Sequence, residues 1–262
     1  MKSLSIASTG MLAQQRNVEV ISNNIANLNT VGFKRQRAEF QDLLYQTLER
    51  PGATSADTGN VVPNGVQIGA GVKTGSVYRI TEQGNVTSTG NDFDLAISGR
   101  GLFRILLPDN NEAYTRAGNF AVSPEGRLVT EDGYEVLPGI TVPEDAIDIS
   151  VSETGIVEAR IAGEQNLREI GNLELVTFFN ESGLEAIGDN LLLETSASGQ
   201  PVIGDPGDSG FGRILQGFIE TSNVDPVQEI TSLIAAQRAY EMNARVIETS
   251  DEMLATNANL RR

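Results

Sequence analysis

Residues 4–28 read L-S-I-A-S-T-G-M-L-A-Q-Q-R-N-V-E-V-I-S-N-N-I-A-N-L. Leu4, Ala7, Met11, Gln14, Val18, Ile21, Ile25 and Leu28 fall at alternating steps of three and four, and all but Gln14 are apolar. That is the a/d stripe of a coiled-coil helix over about four heptads. At ~1.5 Å rise per residue the helix is a rod of roughly 40 Å with one apolar edge, which it cannot bury alone. The rod ends in N-I-A-N-L-N-T-V-G-F-K, residues 24–34, directly after Asn23. Asparagine is a poor interior helix residue because its amide competes for nearby backbone groups. A helix end, however, leaves carbonyls unpaired, and an amide carries donors and an acceptor together. Asn23 and Asn27, at i and i+4, share one face. Gly32 suits a left-handed C-terminal turn, and Phe33 can anchor the chain beyond that turn.

The other end of the chain is written the same way. Ile230, Leu233, Gln237, Tyr240, Ala244, Ile247, Asp251, Leu254 and Ala258 repeat the heptad spacing. Asp225 followed by Pro226 predicts an N-cap and a first helical turn. Gln14, Gln237 and Asp251 are polar breaks of the kind that set register in a helical seam.

Between the ends the periodicity changes. From Val72 to about Ser222 short runs rich in Val, Ile, Leu, Phe and Tyr alternate with glycine turns: S-V-Y-R-I, G-L-F-R-I-L-L, L-E-L-V-T-F-F, then S-P-E-G, E-D-G and N-E-S-G. This predicts an antiparallel all-β domain. I-D-I-S-V-S-E-T-G-I-V-E-A-R-I predicts a hairpin turning at Glu153–Gly155. Residues 35–50 read as partly helical, and the Gly-, Thr- and Asn-rich stretch after Pro51 reads as irregular. The fold class is therefore α+β. A discontinuous helical domain is made of residues 1–34 and 223–262. An extended connecting segment at 35–72 becomes ordered on assembly. An inserted antiparallel β domain spans 73–222.

Composition narrows the function. The 262 residues carry a formal net charge of -16, which repels nucleic-acid backbones, so no nucleic-acid partner is expected. There is no cysteine and no histidine, hence no thiolate metal site and no imidazole base. No run approaches eighteen apolar residues, and no continuous apolar run follows Lys2, so neither a membrane span nor a cleaved secretory signal is expected. G-D-S-G at 207–210 would make Ser209 a nucleophile, but that chemistry needs an oriented base and no histidine exists. Asp205 and Asp208 lack the spacing of a calcium loop. G-A-G-V-K-T-G at 69–75 misses both phosphate-loop patterns. Asp92, Asp94, Glu144, Asp145 and Asp148 read as solvated turn carboxylates, not a glycosidase pair. No catalytic residue, cofactor or metal is expected.

The two ends together carry a resemblance. S-N-N-I-A-N-L-N-T-V-G-F-K at 22–34, S-N-V-D-P-V-Q-E-I at 222–230 and Q-R-A-Y-E-M-N-A-R-V-I-E-T-S-D-E-M-L at 237–254 resemble the bacterial flagellar rod and hook family. L-P-D-N-N-E-A-Y-T-R-A-G-N-F at 107–120, G-R-L-V-T-E-D-G-Y-E-V-L-P-G-I-T-V-P at 126–143 and the segment 45–72 resemble its distal-rod branch rather than its hook branch. The resemblance covers essentially the whole chain.

It implies a structural subunit that polymerises into a stiff helical tube across the periplasm, transmits torque and encloses an export channel. It implies passage through the flagellar export apparatus without a cleaved signal. The implied neighbours are sister copies, proximal rod proteins, hook or hook-junction subunits, and the ring proteins of peptidoglycan and outer membrane. On this resemblance the helical ends form the contact between subunits. The expected interface residues are Leu4, Met11, Val18, Ile21, Asn23, Asn24, Ile25, Asn27, Leu28, Asn29, Gly32, Phe33, Ile230, Leu233, Gln237, Tyr240, Ala244, Ile247 and Leu254, with the asparagine amides pairing across subunits.

Overall fold

The structure, a computed structural model, describes residues 2–49, 65–161 and 167–259. The chain folds as two compact units. One runs to Ile25, takes Gln36–Tyr78 and resumes at Asp225; the other is made of Ala26–Arg35 and Arg79–Val224.

The first unit holds both terminal helices, α1 (Lys2–Ala26) and α2 (Pro226–Asn259). Asp225 caps α2 as its sequence predicts: its carboxylate accepts the N–H groups of Val227 at 2.9 Å and Gln228 at 3.3 Å. Helices α1 and α2 run antiparallel in a fixed register. Asn24 meets Glu229, and a Cβ on Gly10 would lie 2.9 Å from the Asn243 amide. Going back fourteen residues on α1 therefore goes forward fourteen on α2, two whole heptads.

Residues 35–49 form strands rather than helix. Strands β1 (Gln36–Asp42), β2 (Tyr45–Glu49), β3 (Val66–Gly69) and β4 (Val72–Arg79) make two ribbons, β1 with β4 and β2 with β3. Ala38 and Phe40 of β1 are partly buried while Arg37 and Glu39 face out, a period of two that only a strand satisfies. Sequence patterning alone weighs the helix-forming Glu, Gln and Leu of this stretch. Pairing with β4 overrides that local preference. The ribbon corner sits directly on α1: Gly71, at φ +121°, leaves no room for a Cβ beside the Thr9 hydroxyl, which accepts the N–H of Val72 at 3.3 Å. The irregular stretch at 50–64 lies outside the described residues.

The second unit is the expected antiparallel β domain. A seven-stranded sheet is ordered Glu185–Gly188, Leu191–Leu193, Glu112–Thr115, Phe103–Leu106, Glu135–Val136, Leu128–Val129, Ala121–Val122. Beside it stand a three-stranded sheet (Ala146–Val151, Ile156–Ile161, Arg168–Asn172) and short two-stranded ribbons. The hairpin expected at Glu153–Gly155 is there: Gly155, at φ +88°, donates to Ser152, and Ser152 donates to Ile156. Alternation builds the core, as in Phe103 and Ile105 inward with Arg104 between. Phe103 meets Phe120 edge-on, with centroids 5.1 Å apart.

The observed boundaries differ from those expected at 34, 72 and 222. Residues 26–35 belong with the β domain, and 36–78 belong with the helices. Both shifts follow side-chain hydrogen bonds: Asn24 holds Gln36 to the helices, and Asn223 and Glu220 hold Arg35 and Lys34 to the β domain.

Candidate assembly surfaces

The asparagine cluster is divided between the two units. In the first, Asn24 is 1% exposed. Its Oδ1 accepts the N–H of Gln36 and its Nδ2 donates to the carbonyl of the same residue, both at 2.8 Å. The amide thus stands in for a neighbouring strand at the start of β1. The same Nδ2 donates to the Glu229 carboxylate at 3.1 Å, and Glu229 is also 1% exposed.

In the second unit, Asn223 repeats the device. Its Oδ1 accepts the Arg35 N–H at 2.7 Å, and its Nδ2 donates to the carbonyls of Ile80 and Glu82 at 3.0 and 2.9 Å. Gly32 occupies the left-handed region at φ +69°, as its sequence setting predicts, and donates to the Glu220 carbonyl at 2.8 Å. Lys34 reaches the Glu220 carboxylate and the Glu82 carbonyl. The other Glu220 oxygen accepts from Arg116, whose remaining N–H groups donate to the carbonyls of Ile97, Gly99 and Gly101. Every charge in this cluster is hydrogen-bonded, the condition under which buried charge is tolerated. Burial pushes the Lys34 ammonium below its ordinary value despite the Glu220 carboxylate. Burial also pushes Glu220 up, but Arg116, Lys34 and the Gly84 N–H outweigh it and hold the carboxyl below its ordinary value.

The helix pair closes on a row the apolar pattern does not reveal. Glu229, Ala236, Asn243 and Ser250 recur every seven residues on α2; three of them are buried and Asn243 is partly buried. Gly10, Asn17 and Asn24 recur likewise on α1. The register places Gly10 by Asn243, Asn17 by Ala236 and Asn24 by Glu229. Gly10 and Ala236 are small, and Asn24 and Glu229 hydrogen-bond each other across the pair. The apolar rows are thereby displaced to the flanks: Leu4, Met11, Val18 and Ile25 on α1, and Leu233, Ala244, Ile247 and Leu254 on α2, are all half-buried.

Of the remaining expected interface residues, Ile21 is buried; Asn27, Leu28, Gly32 and Phe33 are half-buried; Asn23, Asn29, Ile230, Gln237 and Tyr240 are exposed. Asn27 accepts a hydrogen bond from the Thr30 hydroxyl. Asn24 was expected to face a neighbouring subunit, but its amide is committed inside its own chain. The outer side of α2 carries Val227 at 73% exposure, Ile230 at 50% and Ile234 at 46%, spaced as one helical stripe.

Sequence reasoning missed Gly10, Asn17, Asn223, Glu229 and the Lys34–Glu220–Arg116 cluster. The seven-residue recurrence of small and polar residues was the available signal for the first two and for Glu229. Nothing local announces the ion cluster. Among the described residues, no helix is long and apolar enough to cross a membrane, and no group of three or more His, Cys, Asp or Glu is placed to hold a metal. Ser209 sits in an exposed turn closed by the Asp208 and Phe211 N–H groups.

Three family descriptions match the chain: flagella basal body rod protein at residues 4–34, flagellar hook protein FlgE/F/G D1 domain at 96–159, and flagellar basal body rod FlgEFG protein C-terminal at 215–260. The flagellar basal-body rod protein FlgG of Caulobacter vibrioides is 60% identical over 261 residues, covering 100% of both chains. FlgG of Agrobacterium fabrum is 52% identical, covering 97% of each. FlgF of Caulobacter vibrioides is 34% identical, covering 95% of this chain and 94% of its own. The matched ends are the segments that hold the helix pair and the asparagine clasps, so the chain belongs to the flagellar basal-body rod family, as a structural subunit of the distal-rod type.

Proposed function

We propose that the subunit assembles through the flanks of its helix pair into a stiff tube that crosses the periplasm, carries torque and encloses an export channel. The observation that carries this is the displacement of the apolar rows. The seam within the chain uses small and polar residues, so Leu4, Met11, Val18 and Ile25 on one helix and Val227, Ile230 and Ile234 on the other remain for sister copies. Each such residue buried in a contact contributes about 2 kcal/mol, repeated in every subunit. Exposed Asn23 and half-buried Asn27 fix the register between copies. The tube meets proximal rod proteins at one end and hook or hook-junction subunits at the other. Ring proteins of peptidoglycan and outer membrane surround it. The chain reaches its place through the flagellar export apparatus, and it has no catalytic role.

The test replaces Ile230 and Ile234 by Asp. The purified double variant should melt like the parent and fail to polymerise, and cells relying on it should not swim. Normal polymers from that variant would sink the proposal.

A further inference from the structure

Two adjacent phenylalanines in the β domain point opposite ways. Phe178 is 2% exposed and meets the Tyr114 ring edge-on at 4.8 Å. Phe179 is 99% exposed. Both lie just beyond the strand Leu175–Thr177, and any polar residue would serve at the outer position. The loop that presents the outer ring is held firmly. Asn180 donates from its side chain to the Ala197 carbonyl at 3.0 Å and from its backbone to Ser198 at 3.3 Å. Ser198, 1% exposed, is tied in turn to Thr195. Val202, 57% exposed, is paired with Thr177. Phe179 itself stands in the bend beyond that strand, beside Gly199. A large apolar side chain pre-placed on a rigid turn is the usual form of an interface anchor.

Two further exposed apolar side chains flank the three-stranded sheet. The register slips between Ala146 and Asp148, and Ile147 is left 69% exposed. Leu167, 49% exposed, precedes the strand in which Arg168 pairs with Ala159, which brings it level with Arg160. Arg160 in turn pairs with Asp148 at 3.2 Å. The Phe179 patch carries a matching neutral pair, Arg100 with Glu181 at 3.0 Å. Copies of a chain with net charge -16 repel one another, so contacts between them favour surfaces where charge is cancelled. A helical polymer joins two different patches of one chain, never a patch to itself.

We propose that Phe179 docks between Ile147 and Leu167 of a second copy, a contact of the β domain added to that of the helices. It rests on the polymerisation proposed above. The full-length chain has no cysteine, so a Phe179→Cys, Leu167→Cys double variant is a clean probe. Oxidation of its polymers should give a covalent ladder, with neither single variant passing the monomer. Phe179→Ser should melt like the parent but raise the critical concentration for polymerisation about tenfold, the loss of one anchor. Polymers that give no ladder and an unchanged critical concentration would overturn this contact while leaving the helical one standing. Dimers from Phe179→Cys alone would overturn it as well, by showing a like-to-like contact. If the parent chain does not polymerise, the helical proposal fails first and this one with it.

Discussion

Asn24 and Glu229 are 205 residues apart in sequence, yet the Asn24 Nδ2 lies 3.1 Å from the Glu229 carboxylate, and neither side chain reaches solvent. The contact joins the end of the first helix to the first turns of the last one. The same amide pairs both backbone groups of Gln36. One asparagine therefore sets the pairing of the two helices and the start of β1.

Removing that amide takes away three hydrogen bonds at once. Each buried polar group left without a hydrogen bond costs ~1–3 kcal/mol. Asn24→Ala is expected to destabilise the helix-bearing unit by about 2–4 kcal/mol, read as a lower thermal midpoint with loss of helical circular dichroism. Asn23 is exposed, so Asn23→Ala with Asn27→Ala should impair polymerisation far more than melting. Equal destabilisation by both sets would show that the cluster acts as one structural unit.

The apolar rows Leu4–Met11–Val18–Ile25 and Leu233–Tyr240–Ile247–Leu254 are legible because hydrophobic spacing marks a helix face. The row that brings the helices together is not apolar. Gly10, Asn17 and Asn24 look like interruptions until their seven-residue recurrence is set against that of Glu229, Ala236 and Asn243. The strand character of Gln36–Asp42 is hidden for another reason: the period of two is imposed by β4, which begins only at Val72. Lys34, Arg116 and Glu220 are separated by 186 and 104 residues. Only the fold brings them together, so no local pattern carries that cluster. The β domain, with its glycine turns and alternating cores, was fully readable as a class, but not its strand order.

Gly32 offers a sharper test of the N-terminal motif. A Cβ there would lie 2.7 Å from the Ala117 nitrogen and 2.8 Å from the Arg116 carbonyl carbon, both backbone atoms that cannot yield. The left-handed φ adds strain of order 1 kcal/mol for an L residue. Gly32→Ala should therefore destabilise the β domain by at least about 3 kcal/mol, measured by chemical denaturation. A variant as stable as the parent would mean that residues 26–35 do not dock on the β domain.

Glu220 makes the stability of the β domain depend on acid. Its folded carboxyl is held below the ordinary value once the nearby cations offset its burial. A depressed carboxyl contributes stability that is present above its unfolded value, near pH 4.3, and is lost as pH falls through the folded one. Lys34 is shifted at the alkaline end and leaves this window to Glu220. Glu220→Gln should lose about 3–5 kcal/mol at neutral pH. The gap between parent and variant should then narrow below about pH 4. A gap constant from about pH 7 to about pH 3 would count against the ion cluster.

Gly10 and Asn243 should be coupled across the helix pair. An added Cβ at Gly10 meets the Asn243 side chain first, at 2.9 to 3.2 Å, so the nearest obstacle is one flexible amide. Alanine at position 10 gains ~0.5–1 kcal/mol of helix propensity over glycine. Gly10→Ala alone should be neutral or destabilising because Asn243 must turn aside. With Asn243→Ala in place the crowding is gone, and the same substitution should stabilise by about 0.5–1 kcal/mol. The double-mutant cycle should show a coupling of about 1 kcal/mol, whereas residues that do not touch add within ~0.5 kcal/mol. Additive effects would mean that the helices are not paired in this register, and the apolar rows would then be free to form the seam themselves.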